Sequence, residues 1–227
     1  MIRHNKKKPL IALHVPKTAG TSFSQVLEEW FGKNLYLHYY NVAENVAPKK
    51  VKLKKHFFHK VREEICIYGH FNKIRGVGVH TYYPEVKQFI TILRDPFERA
   101  VSLYFFQKRR HIEFGKKIDL DKFRDLGHYL KITEANYLNH FPFELTNDNF
   151  EHLLHKHFIH IGITEDLNAS VKIIADKLGF RQPETIKTLN ATERTEEVPY
   201  HLKQEFIEKH QLEYAVYAFA KINYDKY

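Results

Sequence analysis

The chain has 227 residues, a formal net charge of +9 and a single cysteine, Cys66. Its length favours one well-packed domain over residues 1–227, and its hydrophobic content of 43% excludes wholesale disorder. One cysteine excludes an internal disulfide and a cysteine-rich zinc site, and it is typical of a reducing compartment. The positive charge predicts attraction to polyanions: nucleic acid, an acidic membrane surface, an acidic glycan or a multiply charged nucleotide.

The N-terminal region begins with a basic cluster at Lys6, Lys7 and Lys8, which is followed by only a short apolar run. A secretory signal needs a longer apolar core, and no window of the sequence approaches the ~18 consecutive apolar residues of a transmembrane helix. We therefore expect neither a signal peptide nor a membrane span.

The first predicted elements are a strand, a loop and a helix that together span residues 10–31. An apolar run of strand length is followed by a short glycine-containing turn, and then by apolar residues at helical spacing. We expect Thr21 or Ser22 to cap the helix, and Gln25 to complete a capping box with Ser22.

The loop of this unit is predicted to bind an anion. A helix that starts directly after a turn directs free N–H groups and the positive end of its dipole towards the loop. Lys17 adds a point charge, and the hydroxyl donors nearby are those of Thr18, Thr21 and Ser22. The loop of nucleotide triphosphatases needs its lysine directly after the last glycine, whereas Lys17 precedes Gly20. We interpret the stretch as a phosphate cradle of another kind.

Further along the chain, the predicted elements continue to alternate. Predicted strands or extended segments lie at 35–40, 65–68, 89–93 and 160–163. One predicted helix begins at Pro96. The others lie at 119–141, with interruptions, and at 150–158, 166–178 and 199–224. Residues 71–84 are rich in glycine and aromatic residues and are predicted to form a loop over the site. The alternation predicts an α/β fold with a central parallel sheet and helices on both of its faces.

Three polar residues, Lys17, His70 and Arg94, each follow a predicted strand. Because ligands of parallel sheets bind beyond the carboxyl ends of the strands, we expect these residues to converge on one cleft. A lysine-rich run at 49–60 is either a solvated helix face or a rim that attracts an acidic acceptor.

A second anion site is indicated by the sequence Ile-Leu-Arg-Asp-Pro-Phe-Glu-Arg-Ala-Val-Ser, which begins at Ile92. Arg94 leaves the end of a strand, and Ser102 lies about two turns into the following helix. A guanidinium and a hydroxyl group at this spacing are able to clamp one phosphate.

The two motifs resemble those of sulfotransferases that use 3′-phosphoadenosine 5′-phosphosulfate (PAPS). His-Val-Pro-Lys-Thr-Ala-Gly-Thr-Ser-Phe resembles the 5′-phosphosulfate loop, which is a P-loop-like element. Arg-Asp-Pro-x-x-Arg-x-x-Ser resembles the 3′-phosphate site of the branch that sulfates glycans, including the heparan sulfate 2-O and 6-O enzymes. A thinner likeness extends to 68–70, 162–165, 189–192 and the helical tail. Animal members of this branch are Golgi membrane proteins, so a chain without an anchor resembles a soluble, cytoplasmic bacterial member.

The resemblance implies transfer of a sulfuryl group from PAPS, as co-substrate, to an acceptor hydroxyl without a metal. The residues implied to hold the 5′-phosphosulfate are Lys17, Thr18, Ala19, Gly20, Thr21 and Ser22. Those implied to hold the 3′-phosphate are Arg94 and Ser102, with Arg194 of a late loop as a further candidate.

Lys17 and His70 are the predicted catalytic residues. Charge builds on the bridging oxygen as the sulfur–oxygen bond breaks, and Lys17 is suited to neutralise it. An imidazole titrates near neutral pH, and in the glycan enzymes a histidine in a Gly-His context after a strand serves as the base, as His70 would here. The reserve candidates for the base are Glu98, His80 and Glu165.

We expect the acceptor to carry a hydroxyl group and to be a glycan rather than nucleic acid, with Tyr82 and Tyr83 as sugar platforms. Three alternatives stay open. A nucleotide kinase or phosphotransferase would use a related sheet, although the position of Lys17 does not fit it. A module that binds nucleic acid or another polyanion would lose affinity steeply with salt. A protein that binds the nucleotide without turnover would keep both motifs.

Overall fold

A sheet of five parallel strands organises the molecule. The structure is a computed structural model that describes residues 1–53, 64–113, 119–186 and 194–224. The strands are β1 (Leu10–Leu13), β2 (Leu35–His38), β3 (Cys66–Gly69), β4 (Phe89–Leu93) and β5 (Phe158–Ile163). Their order across the sheet is β2-β3-β1-β4-β5, and every neighbouring pair is parallel. β1 therefore lies in the centre, with Ile11 opposite both Ile67 and Phe89.

The helices follow the strands in the chain and cover the sheet. They are α1 (Gly20–Phe31), α2 (Val79–Tyr82), α3 (Pro96–Glu113), α4 (Leu126–Ile132), α5 (Phe150–His157), α6 (Leu167–Leu178), α7 (Lys203–Lys209) and α8 (Gln211–Tyr224). Short 3₁₀ helices lie at Gly32–Asn34, Tyr137–His140, Thr164–Asp166 and Tyr200–Leu202. Within the described ranges, no helix combines the length and the apolar character needed to cross a bilayer.

Two buried clusters lie on opposite faces of the sheet, because successive side chains of a strand point to opposite sides. Leu10 of β1 belongs to the cluster that includes α1 and α6, whereas Ile11 belongs to the cluster that includes α8. A third cluster joins α3, α4 and α7. The central strands read as near-continuous apolar runs, which is typical of parallel strands covered on both faces. The predicted α/β fold is confirmed.

The start of α1 differs from the prediction. The helix begins at Gly20, and its N-cap is Ala19, whose φ of 59° lies in the left-handed region. Thr21 and Ser22 therefore lie inside the first turn, and the predicted capping box of Ser22 with Gln25 is wrong. The reason is that the tight turn before the helix ends in the left-handed backbone of Ala19, which has no side chain able to cap the helix.

Some other boundaries also differ. The predicted loop at 71–84 contains α2, and the predicted interrupted helix at 119–141 is helical only in α4 and at Tyr137–His140. β5 begins at Phe158, because its ladder with β4 starts opposite Phe89. Residues 54–60 of the lysine-rich run and the family-like segment 189–192 lie outside the described residues.

Candidate functional site

The segment between β1 and α1 is a loop in which the handedness of the backbone alternates. Lys17 has a φ of 70° and Ala19 a φ of 59°, whereas Thr18 between them keeps a negative φ. Such alternation turns successive backbone N–H groups towards one concave side, which makes a nest for an anion. α1 begins at the next residue, so its free N–H groups and its dipole add to the same site.

The carbonyl groups that precede the nest are held by side chains. The oxygens of residues 14, 15 and 16 each accept one hydrogen bond. The donors, in that order, are Nδ1 of His70 at 2.6 Å, Oγ1 of Thr18 at 2.8 Å and Nε of Arg99 at 3.0 Å. The hydroxyl hydrogen of Thr18 is thus used inside the loop, so the predicted contact of Thr18 with an anion would have to come from its backbone N–H.

Gly20 is required where α1 begins, because a Cβ there would lie 1.7 Å from Nε2 of His14. The ring of His14 stacks on Tyr68 at a centroid distance of 5.2 Å, and its Nδ1 lies 2.8 Å from the hydroxyl of Tyr39. Tyr68 in turn donates a hydrogen bond to the carbonyl of Gly20. Burial, together with the neighbouring His70, holds the pKa of His14 well below its usual range. A neutral aromatic layer therefore supports the loop from below.

Lys17 brings positive charge to this loop. Its Nζ lies 4.3 Å from the centroid of the Phe106 ring on α3. Burial, together with the guanidinium groups of Arg109 and Arg94, lowers the pKa of Lys17 to about 8. Three cations of the site thus repel one another, and a bound anion would relieve that repulsion.

The second predicted anion site lies at the adjacent strand. Arg94 follows the end of β4, which pairs with β1, so it lies at the same edge of the sheet as Lys17. α3 begins two residues later, where Oδ1 of Asp95 accepts a hydrogen bond from the N–H of Glu98. Ser102 lies two turns into this helix and is half-buried. The predicted convergence of residues on the carboxyl edge of the sheet is what the strand order produces.

Arg194 comes to the same place from the far end of the chain. Its Nη2 lies 2.6 Å from Oε2 of Glu98, and the same carboxylate oxygen lies 3.8 Å from Nη2 of Arg94. Tyr200 completes the group, because its hydroxyl donates to Oε1 of Glu98 over 3.0 Å. Two guanidinium groups thus flank one carboxylate, so Glu98, a reserve candidate for the base, already has two cationic partners.

The imidazole of His70 is held in a defined tautomer. A carbonyl oxygen only accepts, so the 2.6 Å hydrogen bond to His14 assigns the hydrogen of the neutral ring to Nδ1. Nε2 then carries the lone pair that a general base needs. Burial lowers the pKa of His70, which keeps its ring neutral at pH 7. The ring is packed between His14 at 4.2 Å, Tyr39 at 4.9 Å and His140 at 5.8 Å, measured between centroids.

The remaining reserve bases and the predicted sugar platforms differ in their burial and in their partners. Oε1 of Glu165 accepts a hydrogen bond from the N–H of Asp95, so this reserve base has a structural partner. His80 lies on the exposed side of α2. Tyr83 is wrong as a sugar platform, because its side chain is fully buried and its hydroxyl accepts from the N–H of Val51. Tyr82 is half-buried and meets the ring of His38 edge-on.

A groove of about 650 Å³ begins at Ser22, beside the loop. It runs between α1 and the segment 181–186, with Gln25, Glu29 and Trp30 on its α1 side. A volume of this size is that of a small-molecule site. Among the described residues, no three His, Cys, Asp or Glu side chains form a group that could hold a metal ion.

Sequence reasoning missed three residues that shape the site. Arg99 and Arg109 lie on α3, and Arg99 was visible only as the second arginine of the Arg-Asp-Pro-x-x-Arg motif. His14 was visible only as the residue before Val-Pro-Lys. With sixteen histidines in the chain, nothing local marked it as a support of the loop.

A parallel sheet whose central strand leads into an anion nest and a helix N-terminus is an arrangement with which α/β proteins bind phosphate-like groups. Residues 1–220 match the family described as "Sulfotransferase family". The chain therefore belongs to the sulfotransferase family, as the two motifs predict.

One similar solved structure is that of the mouse sulfotransferase SULT7A1 complexed with PAP. The two chains share 18% identity with a TM-score of 0.45, and the match covers 80% of this chain and 62% of that chain. A comparison with curated proteins found no match.

Proposed function

We propose that this protein transfers the sulfuryl group of PAPS to a hydroxyl group of a carbohydrate. The observation that carries the proposal is the meeting of two anion sites at one edge of the sheet: the nest at Lys17–Gly20, and the arginines 94 and 194 around Glu98. A nucleotide with phosphate groups on both its 5′ and its 3′ oxygens matches such a pair of sites.

The residues of the chain fit the two ends of this co-substrate. N–H groups of the nest and of the first turn of α1 would bind the 5′-phosphosulfate, and Lys17 adds its charge. Arg94 and Ser102 would bind the 3′-phosphate, together with Arg194. The groove that begins at Ser22 offers space for the nucleoside. When bound, PAPS supplies the sulfuryl group.

Lys17 acts on the charge that develops during transfer. A loose in-line displacement leaves the protein chiefly with positioning and with charge stabilisation. With a pKa of about 8, Lys17 is still mostly protonated at pH 7, and a bound anion stabilises that form further. Its ammonium group neutralises the oxygen of the nucleotide from which the sulfuryl group departs.

His70 removes the proton of the acceptor hydroxyl. Nε2 of its neutral ring accepts the proton, while Nδ1 keeps its hydrogen bond to the carbonyl of His14. The same carbonyl dipole stabilises the imidazolium that forms. A carbohydrate acceptor is supported by the resemblance to the glycan branch and by the half-buried Tyr82 as a sugar platform near His38.

The proposal is tested by thermal unfolding and calorimetry with adenosine 3′,5′-bisphosphate (PAP), the nucleotide product of sulfuryl transfer. At 100 times its Kd, PAP should add about 2.7 kcal/mol to the free energy of unfolding. Arg94→Ala should lose most of that gain, whereas Arg124→Ala, which removes an exposed arginine, should keep it. ATP with magnesium is the competing ligand: stabilisation by ATP but not by PAP would overturn the proposal in favour of a kinase.

A further inference from the structure

Arg99 is a charged side chain buried at the centre of the site. It is only 3% exposed, although a guanidinium group rarely lies inside a protein without partners. Its Nε donates to the carbonyl of Pro16 over 3.0 Å, and its Nη1 donates to the carbonyl of Ala135. The guanidinium carbon lies 5.7 Å from the centroid of the Tyr137 ring.

Burial lowers the pKa of Arg99 to about 10, so the side chain is still charged at neutral pH. The contacts of its Nε and Nη1 are backbone carbonyls, and a buried charge costs free energy that such contacts offset only in part. A buried positive charge close to the anion nest would also raise the affinity of the nest for an anion. The position of this charge is therefore informative about the ligand.

The two ends of Arg99 belong to different anion sites. Its backbone is part of α3, the helix that carries the predicted 3′-phosphate site. Ser102 follows Arg99 by three residues, about one turn, and Arg94 lies just after the end of β4, before the helix begins. Its side chain ends at Pro16, which directly precedes Lys17 in the nest. One rigid, two-armed group thus ties the 5′ site to the element that carries the 3′ site.

We propose that Arg99 is a positioning residue that sets the spacing between the two anion sites, and that this spacing gives the protein its preference for a 3′,5′-bisphosphorylated nucleotide over a 5′-monophosphate. The inference rests on the proposed function, because it assumes that PAP binds at these sites. Binding of one phosphate raises the effective concentration of the second at its own site only when the distance between the sites is right.

The test compares the affinities of PAP and adenosine 5′-monophosphate by calorimetry. The quantity of interest is the Kd of adenosine 5′-monophosphate divided by the Kd of PAP. This ratio isolates the contribution of the 3′-phosphate. Arg99→Met removes both carbonyl contacts while retaining an apolar stem, and it should lower the ratio about tenfold, or about 1.4 kcal/mol. Arg99→Lys keeps the charge but not the two-armed shape, and it should lower the ratio less. Arg124→Met removes an exposed arginine and should leave the ratio unchanged.

Thermal unfolding shows which variants fold. If Arg99→Met does not fold, the ratio measured for Arg99→Lys decides the test. A merely structural role of Arg99 would weaken both ligands by the same factor, so an unchanged ratio in a folded Arg99 variant overturns the inference. Failure of the proposed function is distinct from this, because the wild-type protein itself would then show no preference for PAP.

Discussion

His70 donates the hydrogen of Nδ1 to the carbonyl oxygen of His14 over 2.6 Å, which joins the proposed base to the residue from which the anion loop departs. The two rings are also in contact, with centroids 4.2 Å apart. The hydrogen bond fixes both the tautomer and the orientation of the base relative to the loop. In the proposed reaction, this hydrogen bond between the segments that follow β1 and β3 would hold the base in a fixed position relative to the sulfuryl donor.

Replacing His70 should separate binding from chemistry. His70→Ala removes the proton acceptor, so we expect kcat to fall by about 10²–10⁴. The Kd for PAP should change far less, since the nest uses backbone N–H groups of another segment. Steady-state kinetics with PAPS and an acceptor sugar, together with calorimetry, measure the two quantities.

The matched control for this experiment is His152→Ala, which removes an exposed histidine on α5. It should leave both kcat and the Kd for PAP unchanged. Full activity of His70→Ala would rule out His70 as the base, and another group would then have to remove the proton of the acceptor hydroxyl.

The pH dependence of kcat/KM should have two limbs that belong to the free enzyme. On the acidic side, the rate should rise as His70 loses its proton, and burial places this limb below the ordinary histidine pKa of about 6.5. On the basic side, the rate should fall as Lys17 loses its proton near pH 8. A buffered pH series from 5 to about 10 resolves both limbs.

Lys17→Arg separates the assignments, because an arginine keeps its charge across this range of pH. The basic limb should disappear in this variant, while the acidic limb should stay in place. A basic limb that persists near pH 8 in Lys17→Arg would assign it to another group.

The fold was predictable because its signals are local. β1 and β4 are buried apolar runs, and the lysine, glycine and arginine that follow them lie within a few residues of the strand ends. Arg99 was not predictable as a support of the loop, because its acceptors at Pro16 and Ala135 lie 83 and 36 residues away in the sequence. Side-chain periodicity carries no information about such distant partners.

Burial of single aromatic residues was equally hard to predict. Tyr82 and Tyr83 are neighbours of the same type, yet Tyr83 is fully buried and Tyr82 only in part. The difference arises because α2 interrupts what the composition suggested was a loop, and the helix ends by turning Tyr83 into the core. The capping box failed for a related reason, since the left-handed Ala19 sets the start of α1.

Gly20 should tolerate no side chain. In Gly20→Ala, the new Cβ would lie 1.7 Å from Nε2 of His14, whose ring is fixed by Tyr68 and Tyr39. We expect the first turn of α1 to shift, PAP binding to be lost and the melting temperature to fall. Differential scanning fluorimetry with and without PAP measures both effects.

Gly127→Ala is the matched control on α4. A Cβ there would lie 3.3 Å from Oδ1 of Asp125, a tight contact that a shift of a few tenths of an ångström in this exposed carboxylate relieves. Alanine is also favoured over glycine in a helix by up to about 1 kcal/mol. This variant should keep the wild-type response to PAP. Normal PAP binding by Gly20→Ala would show that the nest does not depend on close packing against His14.

Arg194 should matter for the 3′-phosphate and not for the 5′ end of the nucleotide. Its guanidinium reaches the site through Glu98, beside Arg94, whereas the nest lies at the end of β1. Arg194→Ala should weaken PAP by about 1.5–3 kcal/mol, the range for a hydrogen bond to a charged group, and should leave the Kd for adenosine 5′-monophosphate unchanged. Arg124→Ala serves as the control for removal of one positive charge. If Arg194→Ala weakens both nucleotides equally, the arginine acts through the net charge of the cleft, and the 3′-phosphate is held by Arg94 and Ser102 alone.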